Sequence, residues 1–245
     1  MQIRSVFVLL ALLALEACGG GGGGFFRAYE YEEEMYLSLD GTATLYVNSS
    51  VAALNALRGS SFDTNPETTP DREAVTAFFS SPNTEVTRVT MSRRSNRRYV
   101  HVRMDVKDIT RLGEAPVLSW STYSFKRDGD LFYYRQSVGA AAGKAVGDVG
   151  WGGDEIVAFR MHLPSKIAYH NAGADNLRRG NILVWEQALG DRLQGAPLAI
   201  EARMETDSIL YRTIALFAST FVVVAILFVL IIWWVIRRGA KPAQV

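Results

Sequence analysis

The sequence predicts an α+β fold class: a mostly antiparallel, curved sheet with two short helices, plus one C-terminal transmembrane helix. Three observations lead to this prediction: apolar and polar residues that alternate over short segments, turn dipeptides between those segments, and a long uncharged stretch near the end. Successive side chains of a strand point to opposite faces, so alternation indicates a strand with one buried and one solvated face. It is clearest in 99–106, 157–163 and 198–205. Such patterning is typical of antiparallel sheets.

Turn dipeptides separate three pairs of the predicted strands. Asp-Gly and similar dipeptides readily adopt the backbone conformation of a tight hairpin, so each marks a connection between antiparallel neighbours. The dipeptides, with the strands that they join, are Asp40-Gly41 (35–39 and 42–47), Ser95-Asn96 (87–93 and 99–106) and Asp128-Gly129 (120–126 and 131–138). A further strand is predicted over 182–185.

Two short helices are predicted between the first hairpin and the second. Ser49 or Ser50 can cap a helix over 51–57, and Gly59 follows it as a C-terminal stop. Thr69 can cap the second helix, because the proline that follows it has the backbone dihedral angle of a first helical position. We therefore expect both helices to pack on the sheet.

The N-terminus has the pattern of a secretory signal peptide, which we place at 1–17. An unbroken apolar run, 6–15, follows Arg4 and is too short to span a bilayer comfortably. The only cysteine, Cys18, then begins a glycine-rich segment over 18–24 that is expected to act as a flexible tether.

Cys18 is a predicted lipidation site. Leu15 at −3 and Ala17 at −1 match the bacterial lipobox, in which the cysteine thiol receives a diacylglyceryl group. The alternatives are ordinary signal cleavage and a free thiol. With no second cysteine in the chain, an intrachain disulfide is excluded in each case.

The C-terminal region predicts a single transmembrane helix over 214–236. This stretch has no charged residue and is long enough to cross the roughly 30 Å hydrocarbon core of a bilayer. Trp233 and Trp234 lie near its end, and basic residues begin the tail over 237–245. The positive-inside rule then places the tail in the cytoplasm and the middle of the chain outside a bacterial cell membrane.

Between the two ends lies a predicted extracytoplasmic α+β domain, 25–213. Four of the 26 Lys and Arg residues and one of the 25 Asp and Glu residues lie outside it, which leaves 22 basic and 24 acidic side chains. A nearly neutral domain outside the cytoplasm argues against nucleic acid as a partner.

No catalytic, cofactor or metal motif stands out, so the chain is expected to be non-enzymatic and to need no cofactor. The segment 139–153 resembles a phosphate-binding loop at Gly139 and Gly143-Lys144, but only three residues separate the glycines and Ala145 follows the lysine. We interpret it as a mobile connection between strands. The three histidines lack the spacing of a helical metal motif.

Two sets of residues are candidate ligand contacts. Guanidinium groups match phosphate oxygens, so the arginines at the tip of the second hairpin are candidates for binding an anionic head group. Apolar contacts are expected from aromatic residues of the second helix and of the glycine-rich loop. The head-group candidates are Arg93, Arg94, Arg97 and Arg98, and the apolar candidates are Phe78, Phe79 and Trp151. The structural alternative is a solvated turn, or pairing of the arginines with the glutamates of 30–34.

The order of several short motifs resembles the LppM-like family of bacterial envelope lipoproteins. The likeness runs from Cys18 to the terminal helix. It rests on the lipobox-like cysteine, the early strand with Asp40-Gly41-Thr42, the two helices, the strand 159–163 with Pro164-Ser165, Asn171, Asn181 with Trp185, and the basic residues after the last span. The resemblance implies an extracytoplasmic β-rich domain tethered at both ends, with a role in binding lipid or glycolipid. It implies no catalytic residues.

Two functions are consistent with these observations. The first is a non-enzymatic binding module, whose curved sheet and helices form an apolar concavity for an envelope lipid or glycolipid. Membrane lipid is a second expected partner, since the chain is anchored in the membrane. The second is a structural or accessory subunit of a larger membrane assembly, with a membrane protein as partner. Ala215 and Ser219 give the terminal helix one pair of small residues for packing on a partner helix.

Overall fold

Two sheets and a long C-terminal helix make up the part of the chain that the computed structural model describes, residues 29–173, 177–178 and 180–239. The predicted signal peptide, Cys18 and the glycine tether lie outside these residues. The strands are β1 (Tyr29–Leu37), β2 (Ala43–Ser50), β3 (Thr84–Arg94), β4 (Arg97–Val106), β5 (Ser121–Asp128), β6 (Leu131–Val138), β7 (Ile156–His162), β8 (Ser165–His170), β9 (Leu177–Arg178), β10 (Ile182–Ala188) and β11 (Leu198–Ser208). The helices are α1 (Val51–Arg58), α2 (Arg72–Phe79), α3 (Leu189–Leu193) and α4 (Ile209–Gly239), with 3-10 turns at Ile109–Glu114 and Pro116–Leu118.

The predicted fold class is confirmed, with the strands divided between two sheets. A seven-stranded sheet has the order β3-β4-β2-β1-β7-β10-β9, and a four-stranded sheet has the order β5-β6-β11-β8. Neighbouring strands are antiparallel except β1 and β7, which pair in parallel. Parallel strands cannot be joined by a tight turn, and here 118 residues (38–155) separate β1 from β7. Local alternation carries no information about such a distant pairing.

The three predicted hairpins form as the turn dipeptides indicate. The β1–β2 turn is closed by the backbone N–H of Ser38, which donates to the carbonyl of Thr42 at 2.9 Å. In the β3–β4 turn, Ser95 and Asn96 have φ angles of 49° and 56°. Two consecutive residues with positive φ match the type I′ turn, whose twist agrees with that of the strands it joins.

The helices are close to their predicted positions, with one change at the start of α2. Ser50 caps α1, because its hydroxyl accepts from the N–H of Ala53 at 3.0 Å. α2 begins at Arg72, and its cap is Asp71, whose carboxylate accepts from the N–H of Ala74 at 2.8 Å. The prediction that Thr69 caps α2 is therefore wrong. A carboxylate at the N-cap also interacts favourably with the positive end of the helix.

The hydrophobic core lies between the two sheets and beneath α1 and α2. Alternate residues of the central strands are buried, as the period-two patterning predicts. Phe79 of α2 and Leu54 of α1 are fully buried in the same core. The other face of the seven-stranded sheet carries polar and aromatic side chains.

The two ends of the seven-stranded sheet carry different parts of the chain. At the end that we call distal, β1 starts at Tyr29, the β3–β4 turn lies nearby, and β2 leads into α1. At the opposite end, Tyr36 of β1 pairs with His162 of β7. Just beyond β7, the carbonyl of Pro164 accepts from the N–H of Ile209 at 3.0 Å. α4 therefore starts at the end of the sheet opposite to the distal end.

α4 is long and apolar enough to cross a membrane. Its segment 209–238 is 30 residues long and has a mean hydropathy of 3.0 in its most apolar window. At about 1.5 Å per residue it spans about 45 Å. Its described side chains are all exposed, so nothing in the described residues covers this apolar surface. It follows β11 directly, with no intervening loop.

Candidate functional site

The predicted arginine cluster lies at the distal end, around the β3–β4 turn. Arg97 forms an ion pair with Glu30, 2.9 Å apart, and donates to the carbonyl of Gly150 at 2.7 Å. Arg98 donates to the carbonyl of Pro66 at 2.9 Å. These two arginines therefore join the hairpin to β1 and to two loops.

The other two arginines are more exposed but also have partners. Arg93 lies 2.7 Å from Glu67 in a surface ion pair. Arg94 donates to the carbonyl of Tyr29 at 3.2 Å, and its guanidinium lies 4.5 Å from the centre of the Tyr99 ring. The alternative of pairing with the glutamates of 30–34 thus describes Arg97, whereas Arg93 pairs with Glu67.

Glu30 is the centre of these contacts. Its side chain is only 2% exposed and accepts from Arg97, from the hydroxyl of Tyr99 and from the indole N–H of Trp151, the last at 3.2 Å. Trp151, a predicted ligand contact, is thus half-buried and hydrogen-bonded within the fold. One carboxylate therefore links β1, the hairpin and the glycine-rich loop.

Hydrogen bonds fasten the glycine-rich loop along its length. The N–H of Ala142 donates to the carbonyl of Leu57 at 3.0 Å, and Lys144 donates to the carbonyl of Ser60 at 2.7 Å. Glu155 accepts from two backbone N–H groups of the loop. Burial alone would raise the pKa of Glu155, but these hydrogen bonds oppose it and help to hold the pKa below its ordinary value. The segment has no regular secondary structure, but these contacts do not support the interpretation of 139–153 as a mobile connection.

Beside the arginine hairpin lies an open pocket of about 510 Å³, which we call the polar hollow. It is formed by the β3–β4 turn, the first turn of α1 and two loops. Its polar lining includes Asp63, Asn65, Asn96, Arg97, Arg98 and Asp148. The hollow therefore combines guanidinium, amide and carboxylate groups with the positive end of a helix.

Buried apolar side chains fill much of the space between the two sheets in the described part of the chain. A void of about 10 Å³ lies among Glu33, Gln136, Phe159 and Trp185, which is about the size needed for one water molecule. An acyl chain has no room in this void, so the void is not the apolar concavity predicted for a lipid.

Glu33 is a buried carboxylate in this interior. It accepts from the hydroxyl of Tyr31 at 2.6 Å and from the indole N–H of Trp120 at 3.2 Å. Burial raises the pKa of Glu33, although these hydrogen bonds and the charge of Arg58 act in the opposite direction. Arg58 lies over the Trp120 ring, and burial lowers the pKa of Arg58 to about 10. The interior thus holds a polar cluster in which Glu33 and Arg58 are ionisable and Tyr31 and Trp120 donate hydrogen bonds to Glu33.

Replacing Glu33 with glutamine is expected to raise the free energy of unfolding, relative to the wild type, as the pH increases. Because the pKa of Glu33 is raised in the folded chain, the folded state binds the proton more tightly than the unfolded state does. This contribution is lost as the pH rises from the ordinary glutamate value, about 4.3, through the raised pKa. Glutamine does not titrate, so the stability of E33Q relative to the wild type should increase across that window.

Denaturant unfolding of both full-length proteins in detergent, between about pH 4 and pH 8, measures this difference. The pH dependence of the stability difference between E33Q and the wild type isolates the titration of position 33 from that of the other carboxylates. A difference that stays constant with pH would contradict the prediction.

The predicted apolar contacts occupy different environments. Phe79 is fully buried in the core. Phe78 is half-buried and packs edge-on against Phe62, with ring centres 5.9 Å apart. Trp151 and Arg97 share the carboxylate of Glu30, but neither Trp151 nor Phe78 lines the pocket beside the arginine hairpin. Cys18 lies outside the described residues, and its lipidation stays a prediction.

The sequence reasoning missed the roles of the buried glutamates and of the polar hollow. Glu30 and Glu33 lie in a strand-forming segment whose alternation places some of its carboxylates on the buried side. A run of glutamates in a strand next to a conspicuous arginine cluster is the signal that could have indicated buried pairs. The loops of the hollow meet only in three dimensions, so no local pattern predicts it.

Comparisons with known proteins show distant structural similarity. No protein-family model matches the chain, and no curated protein matches it. Among solved structures, the NMR structure of the folded domain of the Mycobacterium tuberculosis LppM protein aligns with a TM-score of 0.41 and 12% identity, over 76% of this chain and 95% of that chain. At this level of similarity, membership of the LppM-like family stays a prediction.

Proposed function

We propose that this chain is a membrane-anchored extracytoplasmic protein that binds the polar head group of an envelope lipid or glycolipid in the polar hollow. The observation that carries the proposal is the hollow itself, where Arg97 and Arg98 meet the first turn of α1. Guanidinium groups and helix N-termini both favour anionic oxygens. The amide and carboxylate groups beside them suit the hydroxyls of a sugar.

The larger of the two cavities described above is polar, so the ligand group proposed for it is polar as well. The void between the sheets has room for about one water, whereas the hollow is about fifty times larger and lined mainly by polar residues. The acyl part of a bound lipid would therefore stay in the membrane or against the protein surface.

Position within the domain favours a glycolipid over a simple phospholipid. The hollow lies at the distal end, whereas α4 begins at the opposite end. The nine residues of β1 separate these ends by about 30 Å. A saccharide that extends from the membrane can cover such a distance, whereas a phospholipid head group lies at the bilayer surface.

Arg98→Gln is expected to reduce retention of the ligand when the full-length protein is extracted from its own membranes in mild detergent. A lost charge-assisted hydrogen bond costs about 1.5–3 kcal/mol, which weakens binding about 10- to 100-fold. Native mass spectrometry should show a stoichiometric lipid on the wild type and its loss from R98Q. Arg98→Lys should retain part of the binding, because lysine keeps the positive charge but lacks the planar guanidinium that can donate two hydrogen bonds to one anionic group.

Arg127→Gln is the matched control, because Arg127 is an exposed arginine of another hairpin, where it donates to the carbonyl of Gly129. Thermal unfolding of each variant checks that R98Q keeps its fold without the Pro66 contact. Equal lipid occupancy in the wild type, R98Q and R127Q would contradict the proposal. A wild type that carries a protein partner and no lipid would favour the accessory-subunit function.

A further inference from the structure

A serine, a histidine and an asparagine lie in a row on the outer face of the seven-stranded sheet. The hydroxyl of Ser92 on β3 is 2.8 Å from Nε2 of His101 on β4. Nδ1 of the same ring is 3.0 Å from Oδ1 of Asn48 on β2. Both nitrogens of His101 are therefore occupied by side chains of the two neighbouring strands.

The direction of these hydrogen bonds follows from a fourth residue. The amide nitrogen of Asn48 donates to Glu32 at 3.2 Å, which leaves its Oδ1 facing His101 as an acceptor. An amide oxygen can only accept, so Nδ1 of His101 must carry a proton. In the neutral ring Nε2 is then unprotonated and accepts from the hydroxyl of Ser92.

This arrangement holds Ser92 next to a base. Burial lowers the pKa of His101, and the charge of Arg94 acts in the same direction. The ring is therefore held in its neutral form near pH 7. The Ser92 side chain is exposed to solvent, so a substrate can reach its hydroxyl.

We propose that Ser92 is a nucleophile toward carboxylic esters, with His101 as its general base and Asn48 as a positioning residue. The three roles correspond to those of a serine hydrolase triad, which is identified by its geometry and not by sequence position. This activity is separate from head-group binding in the polar hollow, and it goes beyond the non-enzymatic expectation from the sequence.

The reaction balances without a cofactor. Ser92 Oγ bonds to the ester carbonyl carbon while its proton passes to Nε2 of His101. The bond to the alcohol oxygen then breaks, and His101 returns the proton to the departing alcohol. A water molecule releases the carboxylic acid from Ser92 by the same two steps, with His101 again taking and returning a proton.

The surroundings indicate which esters fit. Arg94 lies two residues beyond Ser92 on the same face of β3, and its charge, which acts on His101, is the candidate for stabilising the developing oxyanion. The sheet face is open, so the substrate is expected to be an ester on the surface of a large molecule or assembly.

The test uses a fluorophosphonate probe, which forms a stable bond to serine nucleophiles that are activated by a base. We expect the full-length protein in detergent to gain the mass of one phosphonyl group, and peptide mapping should place it on Ser92. Ser92→Ala should abolish the labelling. Ser137→Ala, which removes another exposed strand serine, should leave the labelling unchanged.

Two further variants separate activation from a structural role. His101→Gln should slow labelling at least about 100-fold, the contribution expected of a general base. Asn48→Leu should shift the pH profile of the labelling rate, because it removes the acceptor that fixes the ring. In the wild type the rate should rise with pH through a midpoint below about 6.5, the ordinary value for histidine.

The charge that acts on His101 is that of Arg94 on β3. Tyr99 stacks on the His101 ring, and Glu32 on β1, paired with Arg160 on β7, is joined to it through Asn48. Labelling of S92A at the wild-type rate, or no labelling of Ser92 in the wild type, would overturn the proposal. The row would then be a cross-strand hydrogen-bond ladder. Because R98Q should leave labelling unchanged and S92A should leave lipid occupancy unchanged, this test is independent of the head-group proposal.

Discussion

Replacing Glu30 with alanine is expected to lower the free energy of unfolding by about 3–5 kcal/mol, because it removes the closer of the two carboxylates that face the largely buried guanidinium of Arg97 and leaves only Glu155, 3.9 Å away. Arg97 is only 15% exposed and lies 2.9 Å from the carboxylate. The same change also removes the acceptor for Tyr99 and Trp151. A buried charge that loses its close partner costs more than the ion pair itself contributes, which is why the expected effect is large.

Denaturant unfolding of the full-length protein in detergent measures this change. Glu30→Gln should cost less than E30A, because the amide oxygen can still accept from Tyr99 or Trp151. Glu114→Ala is the control, since Glu114 forms an exposed pair with Arg111 and its loss should cost no more than about 1 kcal/mol. Equal effects of E30A and E114A would show that Glu30 does not hold the distal end together.

The second large effect is expected for Phe79→Ala. The Phe79 side chain is fully buried between α2 and the sheets, so its removal leaves a cavity in the core. Large-to-small changes of buried phenylalanine cost about 3–5 kcal/mol. Phe78→Ala should cost less, because Phe78 is half-buried and its neighbours can relax toward solvent.

The pair of adjacent phenylalanines separates stability from binding. Thermal unfolding of both variants gives the stability order, and native mass spectrometry gives the lipid occupancy. If F78A and F79A are equally stable, the assigned burial of Phe79 is wrong. If F78A loses lipid while its unfolding is little changed, Phe78 contacts the ligand as the sequence predicts.

Local patterns explain how much of the fold could be predicted. The Asp40-Gly41, Ser95-Asn96 and Asp128-Gly129 turns fix which strands are neighbours, and alternation fixes which side chains enter the core. The parallel pair of β1 and β7 could not be predicted, because it depends on contacts between residues far apart in sequence. The division into two sheets follows from the same distant contacts.

The candidate site was less predictable than the fold. The arginines were identified from their crowding, but the sequence does not show that Arg97 pairs with a buried Glu30 while Arg93 pairs at the surface. The Ser92–His101–Asn48 row escaped detection for a similar reason. Its members come from three strands, and their spacing in sequence has no fixed form, since only the register of the sheet aligns them.

The opposite positions of Tyr29 and α4 on the seven-stranded sheet have a mechanical consequence. A lipid on Cys18 would be joined to Tyr29 by eleven residue steps, with a contour length of about 36–40 Å. The sheet itself is about 30 Å long in this direction. If the lipid on Cys18 and α4 sit in one bilayer and α4 holds the domain upright, the segment between Cys18 and Tyr29 must be almost fully extended. If that segment is not fully extended, the domain must tilt so that its strands lie along the membrane surface. The length of the glycine segment would then set the tilt of the domain, and shortening it would pull the distal end toward the lipid.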